Sequence, residues 1–238
     1  MSKSVGAGRA IQRSDTPIPY LWDLENPQGY ANRIGRYRTR VETDFLLDHI
    51  GQPPQRILDM GGGSGRFAGL LVKSGHHVTL IDRDPRAVAL ATRRGVQQAS
   101  ACDIVDFHGQ GFDSVICMEV FEYFKKCETL VSKAAECLIS GGKFVFCALN
   151  SRSWRFRLRS LKNDPTDVNA FTMDEIAQCL RSNGFEIIAC QGFQWSLAQT
   201  GSDSFLVDVS MVLEKGLKLQ NWLSQSPWLL YACRKRGL

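Results

Sequence analysis

Apolar residues recur along this chain in two rhythms, one of helical spacing and one of short continuous runs. From Tyr30 to Ile50, Ile34, Tyr37, Val41, Phe45 and Leu46 share one side of a predicted helix, which Pro53-Pro54 stops. Arg56 to Met60 reads as a short apolar strand that carries an acid near its end, and Gly61 to Gly65 as a loop. Phe67 to Ser74 is helical, closed by Gly75. His77 to Ile81 is a second strand, followed by Asp82. Pro85 opens a helix that runs to about Arg94. Val96 to Ala101, Phe112 to Met118 and Lys143 to Leu149 complete the strand series. A helix over Thr129 to Leu138 and a turn at Gly141-Gly142 precede the last of these. Strands separated by helices of this length predict a doubly wound α/β sheet.

The last third changes character. Thr172 to Glu175 has the form of a capping box and starts an amphipathic helix that ends at Asn183-Gly184. Phe185 to Cys190 and Trp228 to Cys233 are strand candidates. Between them Phe205, Leu206, Val209, Val212 and Leu213 fall on one helical face, expected to pack into the core, with a cover over the sheet or a dimer surface as alternatives. Residues 1–19 are expected to form a flexible tail and 20–238 a single domain. Within it, 20–54 would act as a helical lid and 193–226 as a helical insertion before the final strand.

Composition narrows the class. The chain has 238 residues, 44% hydrophobic, enough for one substantial core. No apolar run is long enough to span a bilayer, and the polar N-terminus lacks a signal-peptide core, so a cytoplasmic protein is expected. The net charge of +5 is too mild to imply nucleic acid. The eight cysteines are scattered, with no CxxC pair, and read as reduced thiols rather than a zinc site.

The chemistry begins at Asp59-Met-Gly-Gly-Gly-Ser-Gly65. In an open α/β sheet, ligands bind beyond the carboxyl ends of the strands. Glycines there let backbone approach a ligand, and Gly61, Gly63 and Gly65 are the candidates. The segment Gly63 to Ala68 also fits the dinucleotide pattern G-x-G-x-x-A, and Asp82 follows Gly63 at about the 20-residue spacing of a ribose-binding acid. NAD and S-adenosyl-L-methionine therefore compete. Asp59 separates them by sign: a carboxylate beside the loop repels a pyrophosphate and attracts the ammonium of a methionine moiety. Asp82 is expected on the ribose, and Asp103 on the adenine amino group. Ile104 or Arg83 would line the base, with Met118 beside the methionine tail.

Taken in order, Asp59-x-Gly-x-Gly-x-Gly65, Asp82, Asp103-Ile104, Phe112 to Glu119 and Leu138 to Phe146 resemble the motifs of class I S-adenosylmethionine-dependent methyltransferases. The resemblance covers roughly Arg56 to Gly192. It implies a Rossmann-like sheet of seven strands, mostly parallel, with an antiparallel last strand. Met118 to Tyr123, Ala148 to Ser151 and Phe171 to Glu175 resemble the quinone-biosynthesis O-methyltransferase branch. That branch commonly carries E-x-x-E-H after the fourth strand; here Glu119 and Glu122 fit, while Tyr123 replaces the histidine. No metal is expected.

The resemblance implies methyl transfer to an oxygen, or a nitrogen, of a small molecule by in-line displacement. A hydroxyl acceptor needs a base, and Glu119, Glu122 and Tyr123 are the candidates. A non-catalytic nucleoside-binding protein is the other alternative. In 152–162, Trp154, Leu158 and Leu161 form an apolar stripe, and Arg152, Arg155, Arg159 and Lys162 a basic one. Such a segment suits an anionic acceptor or peripheral contact with a membrane. Tyr20, Trp22, Tyr30 and Tyr37 are expected to lie over the cofactor or to pack the first helix. The oligomeric state is not legible.

Overall fold

The computed structural model describes residues 29–161, 168–196 and 203–237, in which the two rhythms resolve into a seven-stranded sheet with α-helices on both faces. The strands are β1 (Arg56–Met60), β2 (His77–Asp82), β3 (Gln98–Ala101), β4 (Phe112–Cys117), β5 (Leu138–Leu149), β6 (Phe185–Phe193) and β7 (Trp228–Lys235). Their order across the sheet is β3-β2-β1-β4-β5-β7-β6. Only β7 runs against the rest, pairing antiparallel with β5 on one side and β6 on the other. The chain reverses its direction of growth between β1 and β4, which opens a crevice at their carboxyl ends.

Local chemistry sets the helix boundaries. Asn32 caps α1 (Arg33–Ile50) by accepting from the Gly35 amide, so the helix starts three residues later than the apolar periodicity from Tyr30 suggests. After α2 (Ala68–Lys73), Asp84 caps α3 (Pro85–Arg93), where proline occupies the first turn. Next come α4 (Cys127–Cys137) and α5 (Trp154–Leu161). The predicted capping box between Thr172 and Glu175 is formed at α6 (Met173–Ser182). The segment between β6 and β7 contains α7 (Leu206–Gly216).

Each face of the sheet has its own core. One packs Leu130, Val131 and Ala134 of α4 and Ile176 and Leu180 of α6 against a line of aromatic rings. Phe121 stacks on Phe146 with centroids 4.5 Å apart, and Phe146 on Tyr231 at 4.9 Å. The other face buries Ile34, Phe45 and Leu46 of α1 with Leu71 of α2 and Ala91 of α3. Among the described residues no helix is long and apolar enough to cross a membrane. All eight cysteines are free; Cys127, Glu128 and Cys179 bring ligand-type atoms within 4.8 Å of one another where α4 meets α6.

Three expectations are corrected. β5 begins at Leu138, not Lys143: the pairing jumps from Phe112–Leu138 to Ser114–Lys143, and Gly141-Gly142 fill the irregularity inside the strand. A β-carbon on Gly142 would lie 3.0 Å from the Ile139 carbonyl and 3.1 Å from that of Asp113, a tight fit for any side chain. The apolar face of α7 is not core, because its inward side is Val207 and Glu214, the latter held by the Tyr37 hydroxyl at 2.6 Å; Phe205, Leu206, Val209, Val212 and Leu213 face solvent. The stripes of α5 also mix: Arg155 is half-buried and donates to the Ser196 carbonyl at 3.0 Å, whereas Leu158 is exposed. Residues 1–28, with Tyr20 and Trp22, lie outside the described residues, as do Lys162 and the side chain of Leu161.

Phe121 is fully buried at the centre of the aromatic line. Phe121→Ala is expected to cost about 3–5 kcal/mol of stability, read as a lower urea midpoint with an unchanged slope.

Candidate functional site

β1 and β4 deliver the two sides of the crevice. At the end of β1, Gly61 (φ 71), Gly63 (φ 53) and Gly65 (φ 79) adopt left-handed backbone that L side chains rarely enter. A β-carbon on Gly61 would strike Val120 at 2.7 Å, so this glycine lets the loop lie against the segment after β4. At Gly63 a β-carbon would meet nothing within 4 Å: the loop turns open space toward the cleft there. The Asp82 carboxylate accepts from the Gly63 amide and the Asp84 amide, both at 2.9 Å, and so pins the loop to the end of β2.

Asp59 is 1% exposed, and its Oδ2 has no hydrogen-bond partner. Burial, reinforced by the nearby Asp82 carboxylate, pushes its carboxyl up to about 7. Burial likewise raises Asp82, against the amides that favour its charged form. Asp103 follows β3, itself in register with Asp82 through Ala101, and accepts from the Val105 amide at 3.2 Å; Ile104 is buried beside it. Met118 is buried at the end of β4, and Arg83 is exposed. The loop, Asp59, Asp82 and Met118 therefore border one crevice, with Asp103 and Ile104 at the adjoining strand end.

Glu119 leads into a buried ion network. Its backbone is left-handed (φ 57), and its amide points at the Cys147 sulfur at 3.0 Å. Its carboxylate accepts from the Tyr30 hydroxyl at 2.8 Å and the Arg66 guanidinium at 2.9 Å, and lies 2.8 Å from that of Arg38. Arg66 also reaches Glu42 at 2.7 Å and lies over the Tyr30 ring, 3.9 Å from its centroid. Burial alone would raise Glu119, but Arg38 and Arg66 outweigh it and hold the carboxyl below its ordinary range. Glu122, in the 3-10 turn Phe121–Tyr123, is buried with Oε2 unpartnered. Burial, then the Glu119 charge, pushes it up to about 8. Its backbone carbonyl accepts from the Asn169 amide at 2.8 Å. Tyr123 is 41% exposed at the end of the same turn.

Residue pattern alone does not single out Arg38, Glu42 and Arg66, and it offers Tyr30 only as a cover over the cofactor or as packing for the first helix. A signal exists for two of them: Arg38 and Glu42 are charges four apart, set inside the apolar stripe of α1. Arg66 occupies a variable position of the glycine pattern, where spacing assigns no role.

Comparisons with known proteins agree with this geometry. A family model described as a methyltransferase domain matches residues 31–190, well over half of the chain. A ubiquinone biosynthesis O-methyltransferase of Xylella fastidiosa is 27% identical over 145 residues, which cover 58% of this chain and 57% of the relative. One from Xanthomonas oryzae is also 27% identical, with 58% and 59% covered. The match thus spans less than two thirds of these curated relatives. Among solved structures, magnesium protoporphyrin IX methyltransferase from Synechocystis with bound SAH superposes with a TM-score of 0.63 at 15% identity, covering 87% of this chain and 88% of that one. A possible histamine N-methyltransferase from Thermotoga maritima gives 0.59 at 16%, covering 84% and 90%. The family match coincides with the glycine loop, the acids at the strand ends and the sheet order, and the chain belongs to the methyltransferase-domain family, in the class I branch that uses S-adenosylmethionine.

Proposed function

We propose that this protein methylates a hydroxyl oxygen of a small-molecule acceptor, with Glu122 taking the proton. The observation that carries the reading is the buried carboxyl of Glu122 beside Glu119, with its Oε2 unpartnered. A carboxyl raised to about 8 is matched to accepting a proton near neutral pH, where an ordinary carboxylate is too weak a base. A neutral amine acceptor needs no such group, and this favours oxygen over nitrogen. The names of the curated relatives, ubiquinone biosynthesis O-methyltransferases, support the same choice.

The crevice fits the cofactor on its own chemistry. The orphaned Asp59 Oδ2 suits an ammonium group, held directly or through water. A pyrophosphate in that place would meet a buried carboxylate, which counts against a dinucleotide. Asp82 keeps acceptor capacity beyond its two amides for ribose hydroxyls, and Asp103 and Ile104 would receive the base. When bound, S-adenosylmethionine supplies an electrophilic methyl group open to in-line displacement. The chain's part is alignment and exclusion of water. In the network Arg38 and Arg66 face the Glu119 carboxylate and a Glu42 carboxyl that burial raises, so it offers no net negative charge that would stabilise a sulfonium and hold back transfer. In this reading Glu119 positions, Glu122 accepts the proton, and Tyr123 borders the acceptor entrance. Tyr30 and Arg38 form the described part of a lid over 20–54 that completes the single domain of 20–238. Half-buried Arg155, near the cations Arg159 and Arg38, favours an anionic acceptor.

Asp82→Ala is expected to weaken cofactor affinity by about tenfold or more, the loss of one or two hydrogen bonds to a charged acceptor; isothermal titration reads it. Because the Asp59 carboxyl sits near 7 in the free protein and an ammonium requires it ionised, cofactor affinity should fall as pH drops through about 7, with proton release on binding. Asp59→Asn should flatten that dependence while lowering affinity. Turnover should rise with pH through about 8, as Glu122 ionises. Glu122→Gln should lower kcat by about a hundredfold and remove that limb, whereas Glu119→Gln should act on cofactor binding and stability and keep the limb, moved to lower pH because the like charge beside Glu122 is gone. A Glu122→Gln enzyme with an intact pH profile removes the assigned base.

A further inference from the structure

α7 presents an inverted amphipathic helix. Phe205, Leu206, Val209, Val212, Leu213 and Leu217 are all exposed, from 46% at Val209 to 72% at Val212. At 3.6 residues per turn they occupy an arc of about 140°, in which the one remaining position is Gly216 and which Ser210 borders. No charge interrupts it. The polar side is turned inward instead: Glu214 accepts from the Tyr37 hydroxyl and the Trp195 amide, and Asp208 pairs with Arg33 of α1. The helix is thus fastened to the protein by Val207, Met211 and its polar residues, and its wider apolar side is left out. Soluble surfaces rarely carry contiguous apolar area of this kind without a partner.

The surroundings state the partner's chemistry. Past α7 the exposed Trp222 stacks on Trp195, with centroids 5.6 Å apart. Gln225, three residues on, accepts from Arg157 of α5. Arg152, Arg157 and Arg159 of that region are exposed, and the described part of α5 carries no acid. Lys215 and Lys218 are exposed at the C-terminal end of α7. Apolar stripe, exposed tryptophan and cationic flank are what a bilayer with anionic headgroups receives. A second copy related by a two-fold axis would set the same cationic flank near itself.

We propose that the exposed face of α7, with Trp222, inserts into the interfacial layer of an anionic membrane, and that the arginines of α5 hold headgroups beside it. This face is carried on α1, whose Tyr37 holds Glu214 and whose Arg38 meets Glu119 beside the cleft, so docking would bring the crevice toward the lipid boundary. The inference stands whichever atom is methylated and whichever carboxyl takes the proton.

Co-sedimentation of the whole protein with sucrose-loaded vesicles tests it, using phosphatidylcholine alone and phosphatidylcholine mixed with phosphatidylglycerol. The wild type is expected to partition onto the anionic vesicles. Leu206→Asp/Leu213→Asp should lower the partition coefficient by about tenfold or more, while binding S-adenosylmethionine normally. Arg157→Gln/Arg159→Gln should remove the preference for phosphatidylglycerol and its sensitivity to salt. No partition of the wild type at low salt overturns the proposal, as does an unchanged partition of the Leu206→Asp/Leu213→Asp variant. If light scattering shows that this variant turns a dimer into monomers while neither form binds vesicles, the face is an interface between copies and the proposal fails.

Discussion

Arg66 is the charge on which the site depends. It leaves the glycine loop, enters the space between α1 and the end of β4, and there meets Glu42 and Glu119 with almost no water. Buried charges persist only when compensated, because breaking such a pair leaves one ion stranded at a cost of about 3–5 kcal/mol. Arg38 completes the balance. The consequence is geometric: loop, first helix and post-β4 segment are fixed relative to one another by one hydroxyl and two guanidinium groups converging on one carboxylate. The left-handed backbone of Glu119, an unfavourable state for this residue type, is held by that convergence and by Cys147 behind its amide.

The two acids that follow β4 differ because their neighbours differ. Glu119 has cations and a phenol in contact and stays ionised. Glu122, three residues on, has burial and a like charge, and is driven toward its neutral form. A pair of carboxyls separated in this way offers one stable anion and one exchangeable proton from a single short segment.

Much of this was legible from residue order. The strand runs, the glycine loop and the acids at Asp59, Asp82 and Asp103 follow from short-range pattern, and the sheet obeys it, including the capping box at Thr172. Two things were not legible. The place of Glu42 and Arg38 in the apolar stripe of α1 hints at burial, but their partners Arg66 and Glu119 come from elsewhere in the chain, and pairings so distant leave no local trace. The orientation of α7 was misread because periodicity gives the existence of an apolar face without saying which way it turns. The buried hydrogen bonds of Glu214 decided that, and a lone glutamate in an apolar segment does not announce a tyrosine partner on α1. Arg155 is a similar case, drawn from its basic stripe by the Ser196 carbonyl.

The position of β7 has a consequence for how the chain reaches this state. It follows β6 in the chain yet lies between β6 and β5, which do not pair with each other. Until Trp228–Lys235 have been synthesised, β6 has no neighbour on that side, and the aromatic line from Phe121 to Phe146 lacks Tyr231. The cofactor half of the sheet, β3-β2-β1-β4-β5, can assemble earlier during translation. Without β7 the sheet would present open edges at β5 and β6, the kind of exposed strand edge from which misassembly and chaperone capture begin.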